Sequence, residues 1–221
     1  MLILKNGIRN RKVQIGVAFV LIVNLFLFYI GVYGGNVHTV APNVLYRSAQ
    51  LTDGTLARVI DADHIASVIN LRGASPDAGY YNSELDVCRQ HDVAHADVSM
   101  SARRLPAPAE LNKLVADFDR LPKPILVHCK AGSDRTGLAS TLFLTLESGE
   151  DLNKAESAQL TWRYGHFGVF GTEAMDHFYD LYRQTARSQD LRTWIQRSYP
   201  AEYRRLQLAH SPEVETSPGG E

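Results

Sequence analysis

The chain has 221 residues, which is the length of one domain with additional segments. Its 23 basic and 24 acidic residues nearly cancel, so the net charge gives no sign of a nucleic-acid-binding surface, and no nucleic-acid partner is expected. Hydrophobic residues make up 45% of the chain, enough for a sizeable core, but part of this apolar material is concentrated near the N-terminus.

Segment 13–34 is almost entirely apolar, with Gln14 and Asn24 as its polar residues. A helix of these 22 residues is about 33 Å long, close to the hydrocarbon thickness of a bilayer, about 30 Å. The preceding residues 1–12 are basic, with Lys5, Arg9, Arg11 and Lys12. The positive-inside rule places them in the cytoplasm and the rest of the chain on the extracytoplasmic, periplasmic side. We therefore predict a single transmembrane anchor; the alternative is a signal sequence cleaved near residues 32–34, which leaves a secreted protein.

Residues 35–43 are predicted to form a linker, because they include the turn-forming Gly35, Asn36 and Pro42. Residues 44–208 then alternate strands with helices, which predicts an α/β domain with a mostly parallel central sheet flanked by helices. The expected strands are 45–47, 66–71, 93–99 and 125–128; the expected helices are 53–63, 80–91, 106–120, 136–148, 150–164, 172–187 and 191–208. Cys88 is expected to be a buried structural thiol. Residues 209–221 are rich in Pro, Gly, Ser and Glu and are predicted to be disordered.

The run Ile125–Gly137 consists of an apolar strand, a short polar loop and the start of a helix. In this order the N–H groups of the loop and of the first helical turn can converge on an anion. The same field stabilises a thiolate at Cys129. Arg135, six residues later, offers a planar fork of donors for two phosphoryl oxygens. The run predicts a phosphate-binding site built around a nucleophile, in preference to a cysteine that merely ends a core strand.

The residues from His128–Cys129 to Arg135–Thr136 match the signature His-Cys-x5-Arg-Ser/Thr. The chain thereby resembles the cysteine-dependent protein tyrosine phosphatase superfamily, above all its bacterial dual-specificity-like members, and the likeness extends to segments 45–50, 68–73 and 163–167. The resemblance implies that Cys129 attacks phosphorus and that water then hydrolyses the cysteinyl-phosphate. It implies that His128 orients the nucleophile and that no metal or other cofactor takes part. The phosphate-binding residues that it implies are Lys130, Ala131, Gly132, Ser133, Arg135, Thr136 and Gly137.

The leaving oxygen needs a proton, and here the sequence departs from the usual family pattern. That pattern places an aspartate on the loop before the helix that precedes the nucleophile strand, but loop 100–106 has no carboxylate. Asp134 resembles the aspartate that is thought to supply the proton in myotubularin-type lipid phosphatases and a mycobacterial secreted phosphatase. A bound phosphate dianion favours the protonated form of its carboxyl group. Asp97, in the strand 93–99, is the second candidate, and a structural role is the alternative for both.

The expected reaction is hydrolysis of a phosphate monoester, with phosphotyrosine as the first candidate substrate and dual specificity as an extension of it. A phenol with a pKa of about 10 leaves more easily than an alkoxide, so weak acid catalysis favours phosphotyrosine. Lys130, together with Arg103 and Arg104, adds positive charge suited to a phospholipid or inositol phosphate, which makes a lipid-directed phosphatase the alternative. The expected partner is accordingly a phosphorylated protein or phospholipid. A non-catalytic phosphate-binding module is a third hypothesis, and the intact Cys129 argues against it.

Overall fold

A five-stranded sheet lies at the centre of the computed structural model, which describes residues 11, 13–22, 24–25, 34–169 and 171–210. The strands are β1 (His38–Ala41), β2 (Leu45–Ser48), β3 (Ser67–Asn70), β4 (Ala94–Asp97) and β5 (Ile125–His128). Their order in the sheet is β1-β2-β5-β3-β4. β1 runs antiparallel to β2, and the other neighbours are parallel. The predicted α/β class with a mostly parallel sheet is confirmed.

Helices cover both faces of this sheet. They are α1 (Asp53–Asp63), α2 (Gly79–Gln90), α3 (Pro108–Arg120), α4 (Asp134–Leu146), α5 (Leu152–Gln159), α6 (Ala174–Thr185), α7 (Leu191–Arg197) and α8 (Tyr199–His210), with a 3-10 turn at Trp162–Tyr164. Successive strand residues point to opposite faces, so Leu126 packs with α1 and α2 while Val127 packs with α3, α4, α6 and α7. α4 is buried along most of its length. This packing holds the first turn of the helix in place directly after the loop that precedes it.

The prediction of a linker at residues 35–43 is wrong, because this segment contains β1. The strand pairs His38 with Arg47 and has a register shift between Thr39 and Ala41. The first two residues of β1 are exposed and its last two are half-buried, since it lies at the edge of the sheet. It therefore lacks the alternation of apolar and polar residues by which a strand is recognised.

Two of the predicted helices are divided in the structure, and the bounds of others shift by up to two residues. The helix expected at 150–164 is α5 followed by a 3-10 turn, and the helix expected at 191–208 is divided into α7 and α8. The break falls at Ser198, two residues before Pro200, which has no N–H group to continue the hydrogen bonding of α7. The helix after Cys129 begins at Asp134, two residues before the expected start. Residues 209–210 belong to α8, and the rest of the predicted disordered tail lies outside the described residues.

The described residues of the N-terminal segment, 11, 13–22 and 24–25, are helical. Their large apolar side chains are exposed, namely Val13, Ile15, Val17, Phe19, Val20, Leu21, Ile22 and Leu25. The other residues of the predicted basic segment and anchor, up to residue 33, lie outside the described residues. In the described part of the chain, no helix is both long enough and apolar enough to cross a membrane.

Candidate active site

The candidate site is the loop between β5, the middle strand of the sheet, and α4. Cys129 follows the last residue of β5 and is only 2% exposed. In parallel register, His128 pairs with Ser48 on one side and with Asn70 on the other, so two strands fix the position of the nucleophile. The carboxyl edge of a parallel sheet is where α/β folds bind ligands, and this loop occupies its centre.

The carbonyl groups of residues 130–133 all accept hydrogen bonds, three from the surrounding scaffold and one from within α4. The carbonyl oxygen of Lys130 accepts from the N–H of Gln50 at 3.3 Å. That of Ala131 accepts from Asn36 Nδ2 at 3.0 Å, and that of Gly132 from Arg47 Nη2 at 2.7 Å. The carbonyl of Ser133 accepts from the N–H of Gly137 at 2.8 Å, inside the first turn of α4.

The N–H groups of residues 130–133, by contrast, donate to no acceptor in the described part of the chain. Since the carbonyls bond outward to the scaffold, the N–H groups are left available on the inner side of the loop, where an anion binds. Gly132 makes the necessary turn with φ +73°, and a Cβ atom there would lie 2.7 Å from the backbone of Ser48 and Ala49. No other residue fits this position without displacing β2.

Arg47 is a fully buried arginine that braces the loop from below. Besides its bond to Gly132, its Nη1 donates to the carbonyl and the side-chain oxygen of Gln159 at 3.0 and 2.7 Å. Its guanidinium lies 3.9 Å from the centre of the Tyr164 ring. Burial lowers the pKa of Arg47 to about 10, although the nearby Tyr164 and Cys129 oppose this shift. Arg47 is therefore a cation at neutral pH and places a positive charge against the loop that carries Cys129.

Arg135 and Thr136, both predicted site residues, have free polar atoms in the buried part of the site. Arg135 Nη1 donates to the carbonyls of Met100 at 3.1 Å and Leu71 at 3.4 Å, which ties the side chain to the edge of the sheet. Arg135 Nε and the hydroxyl of Thr136 are buried and have no partner among the described residues. Buried polar atoms are rarely left unpaired, so both are available for a bound phosphoryl group or for the sulfur of Cys129.

His128 is held by a buried carboxylate that the sequence did not point to. Its Nε2 lies 3.1 Å from Glu84 Oε2, and its Nδ1 lies 3.3 Å from the carbonyl oxygen of Cys129. Glu84 Oε1 is also 2.9 Å from His95 Nε2. Burial alone raises the pKa of Glu84, but the hydrogen bonds to His128 and His95 lower it to about 2. A permanent buried anion thus fixes the ring that precedes the nucleophile.

Asp134 contacts a histidine rather than standing alone at the start of α4. Its Oδ1 is 2.8 Å from His166 Nδ1, and His166 Nε2 is 3.0 Å from Asp176 Oδ2. Asp134 Oδ2 has no hydrogen-bond partner among the described residues. Sequence reasoning selected Asp134 from its place in the loop, but neither His166 nor Asp176.

Asp97, the second candidate acid, uses both carboxylate oxygens in hydrogen bonds to neighbouring residues. Its Oδ1 accepts from Asn70 Nδ2 at 2.9 Å and its Oδ2 from the hydroxyl of Tyr81 at 2.6 Å. The hydrogen bond to Asp97 raises the pKa of Tyr81 to about 12, so this hydroxyl stays a donor at physiological pH. Asp97 lies in β4, two strands from β5, with both oxygens occupied.

The basic residues predicted to favour multiply charged substrates are exposed. Lys130 forms no ion pair with any described residue, and its side chain is at the surface of the loop. Arg103 and Arg104 line a cleft of about 700 Å³ with Leu105 and residues of α6 and α8. Among the described residues, no hydrogen bond or ion pair joins Arg103 to the catalytic loop; its N–H donates to Ser101 Oγ at 3.1 Å.

Several residues that shape the site were missed because they act from distant parts of the chain. Asn36, Arg47 and His166 contact the loop across 95, 85 and 32 residues of sequence, respectively. Arg47 and His166 lie within segments 45–50 and 163–167, which supported the family resemblance without a role for either residue. The signal available for Arg47 was a charged residue directly after Leu45 and Tyr46 in a predicted strand.

The model of the tyrosine phosphatase family matches residues 30–151, more than half of the chain. Among solved structures, the core catalytic domain of the PP-IP phosphatase SIW14 from S. cerevisiae is similar with a TM-score of 0.52 and 18% identity, covering 69% of this chain and 91% of that one. Tk-PTP in its active form gives a TM-score of 0.52 and 18% identity, covering 67% and 97%. TpbA of P. aeruginosa gives 0.48 and 21%, covering 74% and 89%. No curated protein matches the chain.

Proposed function

Since this chain belongs to the tyrosine phosphatase family and is a cysteine-dependent phosphatase, we propose that its substrate is a phosphotyrosine monoester. The observation that carries the reaction is the loop 129–135, in which the carbonyls of residues 130–133 bond outward and their N–H groups remain available around Cys129. Such a cup holds three phosphoryl oxygens and needs only a nucleophile and a counter-charge, which Cys129 and Arg135 supply.

The reaction proceeds in two steps. The Cys129 thiolate attacks phosphorus, the bond from phosphorus to the leaving oxygen breaks, and that oxygen takes the proton of the Asp134 carboxyl group. Water then attacks the cysteinyl-phosphate, returns a proton to Asp134 and releases phosphate and the thiolate. The hydroxyl of Thr136 stabilises the departing sulfur. Arg135 and the loop N–H groups hold the equatorial oxygens in both steps.

The assignment of Asp134 predicts a loss of activity that depends on the leaving group. In Asp134→Asn, kcat falls about 100-fold or more on phenyl phosphate, because the phenolate leaves unprotonated. The loss is less than about threefold on an aryl phosphate with an acidic phenol, which needs no proton. Asp97→Asn is the matched control, since both oxygens of Asp97 are bonded within the sheet. If only Asp97→Asn shows this dependence, Asp97 is the acid and the assignment of Asp134 is wrong.

The proposal places the phosphatase on the extracytoplasmic side of a membrane, held by segment 13–34. The support is the apolar composition of that segment and the basic residues 1–12 before it. The exposed apolar side chains of residues 13–22 favour an apolar environment for this helix, because they contribute nothing to the core of the domain.

A lipid or inositol phosphate is the second candidate substrate, and Asn36 favours it. Asn36 follows segment 13–34 by two residues, a reach of at most about 7 Å. Its Nδ2 donates to the carbonyls of both Ala131 and Tyr164 at 3.0 Å. A chain that leaves a bilayer at Gly34 is thus attached at once to the catalytic loop, which supports a site near the membrane surface with Lys130 exposed beside it.

The two substrates are separated by initial rates of the full chain in phosphatidylcholine vesicles. We expect a kcat/KM for a phosphotyrosine peptide that exceeds the value for vesicle-borne phosphatidylinositol phosphate by at least about tenfold, because the phenol is the better leaving group. Lys130→Ala is the control variant, since loss of this charge weakens a multiply charged headgroup more than a peptide. A higher rate on the lipid, reduced selectively by Lys130→Ala, makes the lipid the substrate.

A further inference from the structure

His166 is buried between two carboxylates that come from different helices. Asp134 is the first residue of α4 and Asp176 lies in α6, while His166 belongs to the segment between the 3-10 turn and α6. The imidazole is 4% exposed, whereas the side chains of Asp134 and Asp176 are 19% and 36% exposed. Each ring nitrogen has its own carboxylate, at 2.8 Å for Asp134 and 3.0 Å for Asp176. The three residues form a hydrogen-bonded triad, Asp176–His166–Asp134, which ends in the catalytic loop.

The His166 imidazole in this triad carries a positive charge at neutral pH. Burial by itself lowers the pKa of His166, but the hydrogen bonds to Asp134 and Asp176 outweigh burial and raise it to about 9. Both ring nitrogens then donate, one to each carboxylate. Asp134 Oδ1 is occupied by His166, so Oδ2 is the oxygen left to exchange a proton with a substrate.

We propose that His166, fixed by Asp176, is a positioning residue for proton transfer by Asp134. This inference rests on the role of Asp134 in the proposed function. The proton that Asp134 donates leaves from Oδ2 when the bond from phosphorus to the leaving oxygen breaks. The carboxylate that results is stabilised at Oδ1 by the imidazolium, which keeps both of its own protons. When water attacks the cysteinyl-phosphate, its proton returns to Oδ2 and the cycle closes.

A purely structural ion pair makes a different prediction from a positioning residue. If the pair only fastens the start of α4 to α6, its loss disturbs the whole loop and lowers the rate on every substrate equally. If it serves proton transfer, its loss is felt in proportion to the need of the leaving group for a proton. The dependence of kcat on the leaving group therefore separates the two roles.

The chain offers a matched pair of variants at this position. The amide nitrogen of an asparagine lies near the place of histidine Nδ1, so His166→Asn keeps a donor for Asp134 and loses the bond to Asp176. The amide nitrogen of a glutamine lies near the place of Nε2, so His166→Gln keeps the bond to Asp176 and loses the one to Asp134. Both variants lose the positive charge of the imidazole. Asp176→Asn weakens the hydrogen-bonded triad while His166 itself is kept.

The experiment measures kcat of the full chain on phenyl phosphate and on an aryl phosphate with an acidic phenol. We expect His166→Gln to lose about 10- to 100-fold on phenyl phosphate and less than about threefold on the activated ester. His166→Asn should lose less than His166→Gln on phenyl phosphate, since it retains a donor for Asp134. Asp176→Asn should show the same selectivity with a smaller loss. It provides the test if a His166 variant does not fold.

Equal losses on both esters, or no loss on either, overturn the proposal. The proposed function fails separately, if the unmodified chain hydrolyses no aryl phosphate or if Asp134→Asn is indifferent to the leaving group. When Asp134→Asn is selective and neither His166→Gln nor Asp176→Asn is, Asp134 is the acid and His166 has only a structural role.

Discussion

Replacing Cys129 with serine is expected to abolish phosphatase turnover while leaving phosphate binding intact. A serine hydroxyl is not ionised at neutral pH, whereas the sulfur of Cys129 is set in a loop of free N–H groups with the cationic Arg47 below it. Loss of the nucleophile lowers kcat by at least about 10⁴-fold. In the hydrogen bonds that shape the loop, the N–H of Gln50, Asn36 Nδ2 and Arg47 Nη2 donate to the loop carbonyls, and none of these bonds involves the sulfur.

The measurement is phosphate release from a phosphotyrosine peptide together with binding of the same peptide by calorimetry. The affinity of Cys129→Ser should equal or exceed that of the unmodified chain, because a thiolate no longer repels the phosphate dianion. Cys88→Ser is the matched control and should retain turnover. Burial raises the pKa of Cys88 to about 12, and its thiol packs on the opposite face of the sheet from α4. Residual turnover in Cys129→Ser that survives repurification contradicts a cysteinyl-phosphate intermediate.

The parts of the molecule that sequence alone predicted are the parts whose contacts are local. The loop from Cys129 to Arg135 is contiguous, so the order of strand, glycine-containing turn and helix was visible in the spacing of its residues. Strands β2, β3 and β5 are fully buried, and the short apolar stretches within them, such as Val68–Ile69 and Ile125–Val127, are typical of interior strands. The fold class followed from their alternation with helices.

The parts that could not be predicted depend on contacts between distant segments. Nothing in the sequence next to Asp134 indicates that His166, 32 residues later, binds its carboxylate. Glu84 occupies a helix position that a surface residue would fill equally well, yet it is 4% exposed and contacts His128 across 44 residues. Strand β1 escaped prediction because it is an edge strand with two exposed residues, and its neighbours Asn36 and Pro42 are typical of loops.

Asn36 shows how one such contact changes the meaning of a predicted feature. As part of the predicted linker, Asn36 had no role, and the prediction gave no connection between the apolar segment before it and the active site. Its two hydrogen bonds connect the start of the domain to the catalytic loop and to the turn at Tyr164. The domain is therefore joined to the loop that carries Cys129 two residues after segment 13–34 ends, although Asn36 and Ala131 are 95 residues apart in sequence.

Replacing Arg47 with methionine is expected to lower both stability and activity, because one side chain holds two parts of the molecule together. Arg47 bonds the carbonyl of Gly132 in the loop and both oxygens of Gln159 at the end of α5. Methionine matches the apolar stem but leaves these three acceptors buried without a donor. Hydrogen bonds to charged groups contribute about 1.5–3 kcal/mol each, but removing the buried charge offsets part of their loss, so the free energy of unfolding should fall by about 3–5 kcal/mol.

The activity of Arg47→Met should fall further than its loss of stability explains, because the loop loses the bond that orients Gly132. We expect kcat/KM for a phosphotyrosine peptide to decrease about 100-fold at a temperature where the variant is fully folded. The kcat/KM of Arg47→Lys should lie between those of Arg47→Met and the unmodified chain, since lysine restores the charge near Cys129 but not the planar fork of donors. Arg58→Met is the control, because Arg58 is bonded only within α1 and should change stability by less than about 0.5 kcal/mol. If Arg47→Met unfolds like Arg58→Met and retains activity, Asn36 and the N–H of Gln50 suffice to orient the loop.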